Sequence, residues 1–176
     1  MPGQVIGVAL PLGYPGSFAR TPDCIIMNRL VHSESEAIAF GSPVVLNSDN
    51  TYSAFGAEHT AEAFAGIAVR EVKMAASYLN QNEAAYLAGQ PCDVLERGNI
   101  VVACKKGTPT AGGKVYIRIA ENETYPGSQI GDFEAEADLK TEDSDTDKTI
   151  ELSGVCWTSG RIDANGCAEL TIKNRV

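Results

Sequence analysis

Turn-forming residues punctuate this chain so often that few helices of ordinary length fit between them. Seventeen glycines and eight prolines are spread over 176 residues, and turn dipeptides recur about every ten positions, the spacing of short strands joined by tight turns. The chain is long enough to bury a real core as one domain, and a hydrophobic share of 44% agrees. The expected fold is therefore mainly β, a compact β-barrel or β-sandwich. We divide it into an extended N-terminal arm over residues 1–23 and a single β-rich domain over 24–176. An acidic segment spans 121–151 and a C-terminal hairpin 149–173.

The most ordered-looking stretch runs from Phe64 to Lys106. Phe64, Ile67 and Val69, separated by small residues including Gly66, make a tightly packed strand, and Arg70 marks where it reaches solvent. Met74 to Leu87 reads equally well as a helix or a loop. Asp93 to Glu96 and Ile100 to Lys105 fit two strands hinged at Gly98. Val115, Ile117 and Ile119 alternate with Tyr116 and Arg118 as a half-buried strand does. Gly131 to Asp138 alternates too, with Phe133, Ala135 and Ala137 on one side and Asp132, Glu134, Glu136 and Asp138 on a charged, solvent-facing side. Ile150, Leu152 and Cys156 pair in pattern with Ala168, Leu170 and Ile172 across Asn165 and Gly166, a hairpin signature.

The N-terminal segment combines breakers (Pro2, Gly3, Gly7, Pro11, Gly13, Pro15, Gly16, Pro22) with Val5, Ile6, Val8, Leu10, Leu12, Tyr14 and Phe18. A solvated tail would not carry so many apolar side chains, nor a helix so many breakers. It reads as an arm that lies on a partner; folding back as an edge strand of its own domain is the alternative. The first residue with a charged side chain is Arg20, and the apolar run is broken, so the start does not read as a secretory signal.

Charge is unevenly placed. Of 23 acidic and 14 basic residues, 11 and two fall within 121–151, which leaves the rest of the chain balanced and puts the whole net charge of −9 in that segment. A phosphate backbone or an anionic lipid surface would be repelled there, so neither nucleic acid nor membrane is an expected partner. Cys24, Cys92, Cys104, Cys156 and Cys167 are odd in number, widely spaced and lack a CxxC pair, so they are expected as small strand or core residues and not as disulfides or zinc ligands.

Partial catalytic motifs each lack the residue that would act. Gly107, Gly112, Gly113 and Lys114 resemble a phosphate loop, but the spacing is wrong and Val115 stands where a hydroxyl would hold magnesium. Asp143, Asp145 and Asp147 have calcium-loop spacing, but Lys148 and Gly154 occupy the positions of the required glycine and glutamate. His32 and His59 stand apart from any ligand or nucleophile pattern. We therefore expect no enzyme, no catalytic, cofactor-binding or metal-binding residues, and no cofactor.

Several local patterns together suggest a family. They are Tyr14, Pro15, Gly16 and Arg20; Phe40 and Gly41 before Val44 and Val45; the run Phe64 to Val72; Tyr86, Gly89, Gln90, Pro91 and then Asp93 to Gly98; and Gly112 to Tyr116. In these, which cover most of residues 14 to 120, the chain resembles the tailed-phage capsid decoration proteins, or structural cement proteins. Cys92 and Cys104 depart from the pattern, standing where β-branched residues are expected. The acidic segment and the hairpin lie outside the likeness.

The resemblance implies a bacteriophage virion protein added to the outside of an icosahedral head, which is assembled in the host cytoplasm. It would bridge neighbouring copies of the major capsid protein and act as a homo-oligomer, a trimer in preference to a dimer. The candidate contact residues are Val8, Leu10, Leu12, Tyr14, Phe18 and Arg20, with Phe64, Gly66, Ile67, Val69 and Arg70 as the family-marking core strand. The alternative is a small all-β oligomeric enzyme or ligand-binding barrel with a site between subunits, using Asp93 near Gly98, or Gly112 and Gly113.

Overall fold

A computed structural model describes residues 11–70, 84–123, 125, 127–139 and 147–173. In chain order the strands are β1 (Phe18–Leu30), β2 (Ile38–Ala39), β3 (Pro43–Leu46), β4 (Tyr52–Ala54), β5 (Phe64–Ala68), β6 (Ala85–Tyr86), β7 (Pro91–Lys106), β8 (Tyr116–Arg118), β9 (Phe133–Glu134), β10 (Thr149–Glu151), β11 (Val155–Ile162) and β12 (Cys167–Ile172), with one 3₁₀ turn at Ala61–Ala63. Ten strands form one mixed sheet, and β2 and β6 form a second, small one. The fold is mainly β, as the turn spacing indicates. The path of the large sheet ends at β10 and β4 without closing into a barrel.

β7 is the hub. It pairs antiparallel with β1, β5 and β12 and parallel with β9. The sequence suggests two strands hinged at Gly98; the structure has one 16-residue strand through it. Gly98 explains the continuity. Its φ of +128° is one that side chains rarely adopt, and a Cβ there would lie 2.6 Å from the Asp23 carbonyl oxygen of β1, so glycine lets β1 cross the strand closely where a hinge was expected.

Both faces of the central strands are covered, which is why β5 reads as an unbroken apolar run. Every residue of Phe64–Ala68 is buried. Phe64, Ile67 and Leu95 enter the larger core with Ile100, Ile117, Trp157 and Leu170, while Ala65, Ala68 and Val94 enter a second one with Ile38, Tyr52 and Tyr86. Gly66 permits the packing between them: a Cβ there would sit 2.4 Å from the Leu95 carbonyl oxygen.

Three further expectations are corrected. The C-terminal hairpin is β11 and β12, starting at Val155 and not at residue 149; Thr149–Glu151 instead pairs with β8. The strand expected over Gly131 to Asp138 shrinks to Phe133–Glu134, and both residues are buried. Arg118, expected to face solvent, is fully buried. Most of Met74 to Leu87, where helix and loop remained open, lies outside the described residues, and Ala85–Tyr86 within it is a strand. No disulfide joins the five cysteines, which all sit in strands, three of them buried.

Candidate interaction surface

The largest departure from ordinary burial is along β1. Exposed large apolar side chains follow one another from the lead-in through the strand: Tyr14 at 65%, Phe18 at 43%, Ile25 at 48%, Ile26 at 37%, Met27 at 39% and Leu30 at 53%. Successive side chains of a strand point to opposite faces, and beyond the register shift between Ile25 and Ile26 the exposure of both Ile26 and Met27 means that neither face of β1 is fully covered there. Among the described residues the strand is held from one side only, by β7, in a register that runs from Phe18↔Ile100 to Leu30↔Pro91.

The polar side chains around this row are paired among themselves. Arg20 reaches Glu169 at 3.0 Å, Arg97 reaches Asp23 at 3.1 Å, and Asn28 donates to Asp93 at 2.6 Å. Arg29 bridges Tyr52, Asn50 and Glu96. What is left on the surface is a strip whose charges are paired among themselves, with apolar tips between them.

The lead-in is strapped to its own domain. The Leu12 amide donates to Asp163 Oδ2 at 2.9 Å, Gly16 and Ser17 exchange backbone bonds with Val101, and the Arg70 amide donates to Gly16 O at 2.8 Å. The Arg70 guanidinium lies 4.5 Å from the centre of the Tyr14 ring. Two groups of residues singled out from sequence thus meet: the arm residues Leu12, Tyr14, Phe18 and Arg20 lie on the sheet whose core strand carries Phe64, Gly66 and Ile67, with Val69 just past its end, and Arg70 joins them. Val8 and Leu10 lie outside the described residues. The exposed run Ile25 to Leu30 was missed, although CIIMNRLV carries a signal: four apolar residues in a row without the alternation of a strand covered on one face.

The acidic segment is not uniformly solvated. Arg118 holds Glu134 bidentately, at 2.5 Å from Nε and 3.0 Å from Nη2, and Nη2 also reaches Asp138 at 2.8 Å. Lys106 and Asn122 complete the group around Asp138. Burial alone would penalise the Arg118 charge, but its hydrogen bonds to both carboxylates outweigh that and raise its pKa; burial likewise disfavours the Asp138 carboxylate, and Asn122, Arg118 and Lys106 nevertheless hold it below its ordinary value. The network fixes the base of the segment: the Asp138 amide donates to Thr149, and the Lys148 amide to Asp138 O. Glu142, Asp143 and Asp145 lie outside the described residues.

An open polar groove of about 1010 Å³ runs between His32, Asp49, Glu58 and His59. His32 lies 3.6 Å from Asp49, and His59 Nδ1 accepts the Gly56 amide at 2.8 Å. Among the described residues no three metal-binding side chains converge. Of the residues an intersubunit site would use, Asp93 binds Asn28 and Gly98 is packed against Asp23 and Cys24, whereas Gly112 has open space around it.

With this geometry in place, comparison with known proteins adds two findings. A family model described as XM1 gp53 minor capsid protein matches residues 3–172. A solved chain from "The capsid of Myoviridae Phage XM1" superposes with a TM-score of 0.67 at 12% identity, covering 100% of both chains; at that identity the likeness is one of fold. No curated protein matches the chain.

Proposed function

The chain belongs to the XM1 gp53 minor capsid protein family, a family of phage virion structural proteins, and from that premise we propose that it decorates the outside of the head and cements neighbouring major capsid subunits. The observation that carries this reading is the apolar row from Tyr14 to Leu30, exposed on a strand held from one side. Burying such a row against a partner releases roughly 25 cal/mol per Å² of apolar surface, and an uncovered strand edge adds backbone hydrogen bonds to an incoming strand. A cement protein stabilises a shell by mass action, since it binds the assembled lattice and not loose subunits.

Orientation follows from charge. The acidic segment is anchored through Arg118 at the far end of the sheet path from β4, on β8, β9 and β10, and repulsion by packaged nucleic acid favours its facing the medium. The protein acts as a small homo-oligomer, a trimer in preference to a dimer, and its role is structural and not enzymatic. Heads lacking this protein, incubated with purified chain and pelleted, test the reading. The wild type is expected to co-sediment and to raise the temperature of head disruption, and Tyr14→Ala/Phe18→Ala to bind at least ten-fold more weakly. Equal binding by the double variant removes the apolar row from the account.

A further inference from the structure

The tip that joins β11 to β12 carries a dipeptide whose chemistry goes beyond making a turn. Asn165 and Gly166 form the only Asn-Gly pair in the chain. Asn165 is exposed, and its side-chain amide makes no hydrogen bond among the described residues. Asparagine is a thermolabile residue, and Gly166, at φ +75°, has no side chain to shield its nitrogen from the asparagine before it. The Gly166 amide donates to Asp163 O at 3.0 Å, so reaction at that nitrogen requires the turn to open. The tip is lightly held. The register of β11 on β12 shifts between Trp157 and Ile162, which leaves Ile162↔Ala168 as the pair that closes it, and an exposed tip closed by few bonds opens without unfolding the sheet.

We propose that Asn165 deamidates spontaneously and that the isoaspartyl product unfastens the N-terminal lead-in from the domain. In the open tip the Gly166 nitrogen forms a bond to Asn165 Cγ, and its proton leaves with the departing ammonia, which closes a five-membered succinimide. Water then opens the ring. Hydrolysis at Cγ gives aspartate. Hydrolysis at the backbone carbonyl gives isoaspartate, in which the main chain runs through the former side chain and is longer by one carbon–carbon bond, about 1.5 Å.

The added carbon falls where the strap is made. Asp163 Oδ1 accepts the amides of Asn165 and Cys167, each at 2.9 Å, and Oδ2 accepts the Leu12 amide at 2.9 Å. The two donors on Oδ1 lie on either side of the inserted carbon, so they cannot both stay at that distance from one oxygen. Cys167 is fixed to β7 opposite Ala103, and the Cys104 amide holds Gly166 O at 2.8 Å. The half of the tip that shifts is therefore Asp163 to Asn165, and with it the carboxylate that holds Leu12. The new carboxylate also sets a like charge beside Asp163. Gly16 and Ser17 stay bonded to Val101, so the release is confined to the chain before them.

Fresh chain compared with chain aged in warm, mildly alkaline buffer tests this. Peptide mapping by mass spectrometry, with an isoaspartyl methyltransferase as the probe of the product, is expected to find acid at Asn165 at least ten-fold sooner than at Asn28, Asn47, Asn50, Asn99 or Asn122. Amide exchange at Leu12 should be slow in the fresh chain and at least ten-fold faster in the isoaspartyl form, with Gly16 unchanged. Asn165→Gln, whose longer side chain closes a ring far more slowly, should stay unmodified and keep Leu12 slow after the same ageing. Asn165→Asp carries the charge without the extra carbon and should keep Leu12 nearer to the fresh chain than to the isoaspartyl one. Fluorescence of the single Trp157 verifies that every form is folded. The proposal is overturned if Asn165 changes no faster than the other asparagines, or if Leu12 already exchanges fast in the fresh chain. It is equally overturned if the isoaspartyl form keeps Leu12 slow, or if Asn165→Asp releases it to the same extent.

Discussion

Replacing Arg118 by methionine tests the least expected part of the fold. Arg118 and Glu134 are both fully buried and bonded through two N–H donors, with Asp138 on a third. The methionine fills similar volume but leaves two carboxylates facing each other with Lys106 and Asn122 as their remaining neighbours. Breaking a buried pair by removing one partner costs ~3–5 kcal/mol, because the other charge stays buried without compensation. Against a typical total of about 5–15 kcal/mol this is a large fraction, and for a chain of this size it corresponds to a melting shift of roughly 6–20 °C. Urea unfolding followed by Trp157 fluorescence reads it directly, as a lower midpoint at unchanged slope. Arg118→Met/Glu134→Leu should recover part of the loss, since it also removes the stranded carboxylate. A single variant within about 1 kcal/mol of wild type would refute the reasoning, for a pair that costs so little to break is one already exchanging with water.

Other consequences follow from single positions. Gly98→Ala should destabilise by ~1–3 kcal/mol from its positive φ alone, with the approach to the Asp23 oxygen at 2.6 Å adding to that; the urea midpoint measures it, and Gly112→Ala, which shares a positive φ of +73° but meets open space, separates the backbone strain from the contact. Asp163 is pushed up by burial, but amides of Cys167, Leu12 and Asn165 outweigh this and hold it below its ordinary value of 3.8. Its contribution is therefore full above about pH 4 and lost as pH falls through the depressed value. Asp163→Asn should be less stable at pH 7 and show a flatter loss of stability between pH 4 and 2, by urea midpoints across that range. Burial pushes the Cys104 thiol up to about 11 and also raises Cys167, so at pH 8 a thiol reagent should label Cys24 and Cys156 first and reach Cys92, Cys104 and Cys167 only on unfolding.

Local signals in the sequence were legible where one element decides the outcome. Phe64 to Val69 reads as a fully buried strand because both its faces are covered, and the Asn165 and Gly166 turn announces the hairpin. Pairings across distance were not. The alternation of Val115 to Ile119 places Arg118 outside, and only the arrival of Glu134, sixteen residues on, makes that position interior. For the same reason Glu134 and Asp138 looked like a solvated acidic face. Gly98 looked like a hinge because a glycine flanked by Arg97 and Asn99 breaks a strand locally, whereas the reason for it is the passage of β1 at Asp23. The interaction surface was half visible: Tyr14, Phe18 and Arg20 stand out by composition, while Cys24 to Val31 reads as an ordinary strand, because nothing local says that β1 lies at an edge.

The proposed role places this chain on the outside of the head, across neighbouring major capsid subunits. Cryo-electron microscopy of heads lacking the protein, before and after adding it back, tests that most directly. Difference density is expected on the outer surface, with β1 and its lead-in against the shell and the acidic segment towards the medium. Density confined to the inner surface, or seated on one subunit without reaching a second, would contradict it.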